Sequence, residues 1–98
     1  MKIEYRHTAV IRLQMIKDWG TYKFSSREAT QFVSKLLREI RELSKHPNIG
    51  KTEVNKDGIE IKSFVIHPYF KVEYIVDSST QSMIVFNIID VREDPSQQ

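Results

Sequence analysis

FKVEYIVDSSTQSMIVFNIIDVREDP, residues Phe70–Pro95, holds two strands and the turn that joins them. In its first half Val72, Tyr74 and Val76 fall on one side while Lys71, Glu73 and Ile75 take the other, the period of two that marks a strand. Ser78-Ser79-Thr80-Gln81 is short enough for an antiparallel hairpin. The second half, roughly Met83 to Val91, is apolar on both faces, as a strand in the interior of a sheet must be. It then runs directly into Asp90-Val91-Arg92-Glu93-Asp94-Pro95, an arginine among carboxylates. Proline removes a ladder donor there and ends the strand.

Upstream, Ile59 to Ile66 reads as a further strand, separated from Phe70 by His67-Pro68-Tyr69 and preceded by a turn signal at Asp57-Gly58. The polar KTEVNKDG before it reads as a connector. Earlier still the period changes to that of a helix. Ala29, Phe32, Val33, Leu36, Leu37, Ile40 and Leu43 form one apolar stripe that must be buried against a partner. Ser25 and Glu28 have capping-box spacing at its start, and His46-Pro47 stops it. Between His7 and Trp19, Ala9, Val10, Leu13, Ile16 and Trp19 predict a first helix, with Gly20 placed to end it. A short loop makes the two helices an antiparallel hairpin. KIEYR at the start predicts a short strand. Trp19, Tyr22 and Phe24 fall at the hairpin's tip, either as core or staple residues, the reading we favour, or as a contact surface.

The order is therefore strand, two helices, three strands. It predicts an α+β fold over residues 1–98, a single domain with a helical hairpin on one face of a small, mainly antiparallel four-stranded sheet. Bulk properties agree: 98 residues, 40% hydrophobic, 29% charged, net charge +2. With no cysteine, disulfides and thiol chemistry are excluded. No apolar leader or membrane-length run appears, so a cytoplasmic protein is expected. His7, His46 and His67 lack metal-ligand spacing and have no evident catalytic partner.

If the hairpin covers one face, the other carries the functional candidates. Lys71 is out of phase with Val72 and Tyr74, Lys62 belongs to the preceding strand, and Arg92 ends the last. Together they would form a cationic patch for phosphate or carboxylate groups, with Asp90 orienting Arg92. The alternative is a solvated face of ion pairs worth ~0–1 kcal/mol each.

The element order, PNIG at Pro47–Gly50, FKVEY at Phe70–Tyr74 and DVREDP at Asp90–Pro95 together resemble the RelE/ParE superfamily, the toxins of type II toxin–antitoxin systems. The resemblance spans nearly the whole chain and includes the subgroup whose last strand ends in Asp-x-Arg-x-x-Pro. It implies a cognate antitoxin as partner, a toxin–antitoxin hetero-oligomer, no cofactor, no metal and no membrane. RelE-like members are ribosome-dependent mRNA endonucleases in which cationic side chains stabilise the charge built up as a 2′-hydroxyl attacks the adjacent phosphate. By similarity Lys62, Lys71 and Arg92 match their basic positions, as catalytic or phosphate-binding candidates. The chain departs from that pattern in having Asp90 where a histidine is frequent, and a tail without Tyr or His. ParE-like members instead bind DNA gyrase and stabilise its cleaved complex. The resemblance thus implies a ParE-like toxin, with mRNA cleavage or an inactive, antitoxin-binding remnant as alternatives.

Overall fold

The computed structural model describes residues 1–66 and 69–92. His67, Pro68 and the proline terminator Pro95 lie outside them. The elements are β1 (Lys2–Tyr5), α1 (His7–Lys23), α2 (Ser26–Lys45), a short 3-10 turn (Pro47–Ile49), β2 (Lys51–Lys56), β3 (Ile59–Ile66), β4 (Phe70–Asp77) and β5 (Ser82–Asp90). One sheet runs β1-β5-β4-β3-β2, with β1 parallel to β5 and the other neighbours antiparallel. It has five strands and is mixed, where the sequence predicted four. The extra one is β2, whose KTEVNK has a single large apolar residue and so no readable alternation. Asp57 and Gly58, both at positive φ (55° and 80°), make the two-residue turn that pairs β2 with β3.

The helices cover one face. Leu36, Ile40 and Leu43 of α2 pack with Ala9 of α1 onto Val72, Tyr74, Val85 and Ile88 from the middle strands. Ser25 Oγ accepts the Glu28 N–H at 3.1 Å, the first half of the expected capping box. Gly20 does not end α1. It is buried inside it, where an added Cβ would sit 3.1 Å from the Ala29 Cβ, so it lets the two helices approach. β5 lies between β1 and β4, which accounts for its apolar character on both faces.

Two bulges alter the phase. In β5, Glu73 pairs with Asn87 but Tyr74 pairs with Val85, leaving Phe86 as the extra residue. Met83 and Val85 face the helices before it, Ile88 and Asp90 after it. In β2 the extra residue is Glu53.

Candidate functional site

The three cations do not share the bare face. Lys71 does point there, in one row with Val65 and Ile89. Lys62 stands opposite Tyr74, a core residue, so it lies on the helix-covered side. Its side chain is only 12% exposed, and its ammonium donates to Thr52 Oγ1 at 3.2 Å and pairs with Glu60 at 3.4 Å. Asp90 stands opposite Phe70, which also faces the helices, and it carries Arg92 to that side. The expectation that Arg92 would face the open side near Lys71 is overturned. The cause is the Phe86 bulge: one extra residue exchanges the two faces of everything after it.

Arg92 is indeed held by Asp90. Its Nε donates to Oδ1 at 3.1 Å, its Nη2 to Oδ2 at 2.8 Å, and its backbone N–H to Oδ1 at 2.9 Å. The guanidinium also lies 3.3 Å above the centre of the Tyr69 ring. These hydrogen bonds hold the Asp90 carboxyl below its usual range, against the opposing effect of its partial burial. A carboxylate, a backbone N–H and an aromatic face thus fix the arginine in one pose. Sequence reading placed Tyr69 only in a separator. The signal was non-local: the Val91 N–H bonds to the Tyr69 carbonyl across the chain.

Asp90 and Arg92 form one rim of a cleft of about 440 Å³ between the hairpin tip and the ends of β4 and β5. Its walls are largely apolar, including Met15, Trp19, Phe24, Phe32 and Phe70, and Arg12 and Glu28 also line it. Phe32 meets Phe70 edge-on at 5.7 Å and Trp19 meets Phe24 at 6.0 Å. The tip aromatics are not core residues: Trp19 is 49% exposed, Tyr22 84% and Phe24 66%. Ile11, Met15, Trp19 and Tyr22, spaced four, four and three apart, line one exposed side of α1 that leads into the cleft.

The bare sheet face is different. Its middle row is Ser63, Glu73 and Asn87, with Glu53 beside it. Ser63 Oγ donates to Glu53 at 2.6 Å and Asn87 Nδ2 to Glu73 at 3.2 Å. The Ser63 bond keeps the Glu53 carboxyl low, with Lys51 and Lys71 adding to the effect. His7 begins α1 and His46 caps α2; neither borders the cleft.

A chain of the "Chromosomal ParDE TA system from P. aeruginosa" superposes with a TM-score of 0.75 at 15% identity, covering 92% of this chain and 95% of that one. The chain shares the fold of that protein. A chain of the intact E. coli RelBE toxin-antitoxin complex gives a TM-score of 0.53 at 14% identity, covering 89% and 92%. No family model matches the sequence, and no curated protein does. Within this shared fold, the Asp90–Arg92–Tyr69 unit closes the end of β5, beside the hairpin and away from the bare sheet face. Among the described residues no helix is long and apolar enough to cross a membrane.

Proposed function

We propose that this chain is the cytoplasmic toxin of a type II toxin–antitoxin pair, acting in the ParE manner by binding DNA gyrase and neutralised by a cognate antitoxin. The observation that carries the ParE-like reading is the make-up of the bare sheet face. Glu73 lies in its middle row and Glu53 beside it, and they offset Lys51 and Lys71, so these four side chains present no net positive charge to a phosphate backbone. Arg92 sits on the other side of the sheet, already engaged by Asp90, and among the described residues no histidine borders its cleft. Such a site suits protein recognition better than strand cleavage. The closer superposition on the ParDE chain than on the RelBE chain supports the same reading.

Arg92 is the proposed target contact, positioned by Asp90 and Tyr69, with Lys71 a second contact on the other face. Lys62 ties the β2–β3 hairpin through Glu60 and Thr52. The exposed side of α1 and the cleft behind it take the antitoxin, an amphipathic segment whose large apolar side chains replace water against Met15, Trp19 and Phe24.

Controlled expression in cells tests the proposal. Growth arrest with trapped gyrase–DNA complexes and an SOS response is expected, relieved by co-expression of the protein encoded next to it. Codon-specific cleavage of ribosome-bound message would overturn the gyrase assignment, and normal growth with antitoxin binding intact would mark an inactive remnant.

A further inference from the structure

Among the described residues, the last turns of α2 leave a carboxylate oxygen without a hydrogen-bond partner beside an incomplete strand edge. Glu39, Glu42 and His46 border a groove of about 310 Å³, whose apolar surface comes from Leu43, Ile49 and Val65. The β2–β3 ladder begins at the Lys51–Ser63 pair, so β3 continues through Phe64, Val65 and Ile66 with a neighbour on the β4 side only, among the described residues. Peptide groups on such an edge are ready to pair with an added strand. Ile49 and Val65 are both more than half exposed there.

Charge decides the kind of strand. Glu42 is already paired with Lys45 at 3.0 Å. Glu39 Oε2 is shut off from solvent and has no hydrogen-bond partner among the described residues. A carboxylate oxygen in that position is costly unless a donor reaches it. The C-terminal end of α2 adds its own partial negative charge.

We propose that this groove binds an extended segment of a partner protein in which an arginine or lysine is flanked by β-branched residues. The segment's backbone adds to the β3 edge beyond Ser63, its apolar side chains rest on Ile49 and Val65, and its cation meets Glu39. An acidic segment is refused, because it faces Glu39, Glu42 and the helix end together. The groove shares no residue with the Asp90–Arg92 cleft, so the inference does not rest on the toxin reading.

The test uses the full, ¹⁵N-labelled chain and two capped pentapeptides, one alternating valine with arginine and one alternating valine with glutamate. The arginine peptide is expected to shift the amides of Ile49 and Phe64–Ile66, and to bind about tenfold or more tightly than the glutamate peptide. Glu39→Gln, which keeps the shape and removes the charge, brings the two peptides to similar affinity. Val65→Lys, at an exposed position, weakens the arginine peptide without touching Glu39. Equal binding of both peptides, no binding of either, unchanged discrimination in Glu39→Gln, or shifts centred on the α1 cleft instead would each overturn the proposal. Should Glu39→Gln fail to fold, Val65→Lys alone decides.

Discussion

Asp90 and Arg92 act as one unit, and its charge can be read by titration. The Asp90 carboxyl is held low in the folded chain, so its contribution to stability is complete above the unfolded value of about 4 and is lost as pH falls through the folded value. Glu53, through Ser63, and Asp77, through Ser79, are shifted in the same direction. Thermal stability is therefore expected to fall from about pH 4 downward. Asp90→Asn should make that fall shallower in melting curves taken across the range; an unaltered slope would remove Asp90 from the account. Arg92 is half exposed, so its ion pair contributes at most about 1 kcal/mol. Arg92→Ala is accordingly expected to shift Tm by less than about 8 °C while abolishing growth inhibition. A collapsed melting transition would assign the pair to holding the fold. The sequence made the Asp90–Arg92 pairing legible, because two residues apart on a strand share a face. It hid Tyr69, 23 positions away in the chain.

At the scale of elements, the helices follow local rules until they meet each other. Ser25 caps α2 as its spacing predicts, and Ser25→Ala should cost about 1 kcal/mol in chemical denaturation. Gly20 was expected as a terminator because glycine is a poor helix former. Contact with Ala29 overrides that preference, and α1 continues to Lys23. Gly50, after the 3-10 turn, is required by a similar close approach. An added Cβ would overlap the Tyr74 hydroxyl, which donates to the Pro47 carbonyl. Gly50→Ala should cost about 1–3 kcal/mol by overpacking. The loss should shrink in a Tyr74→Phe background without vanishing, since the hydroxyl is gone while the Ser63 carbonyl stays 2.9 Å from the added Cβ. Equal losses in both backgrounds would show that the overlap lies elsewhere.

The molecule as a whole leaves two unlike surfaces, an apolar side of α1 opening into a cleft and a sheet face centred on carboxylates. Trp19, the single tryptophan, is about half exposed at the cleft wall. Binding of the antitoxin should therefore move its fluorescence to shorter wavelength, and Met15→Asp should weaken that binding without lowering Tm. An emission maximum that stays fixed as the complex forms would place the antitoxin on another surface. The hairpin-on-sheet architecture was legible from the change of hydrophobic period along the chain. β2 was not, because an edge strand buries little and need not alternate. By itself the sequence determined the two helices, four of the five strands and the Asp90–Arg92 contact, since each depends on residues a few positions apart. Only the tertiary structure decided which cations meet. Strand register and the Phe86 bulge set the face on which Lys62, Lys71 and Arg92 emerge, and both are fixed by pairing between distant segments.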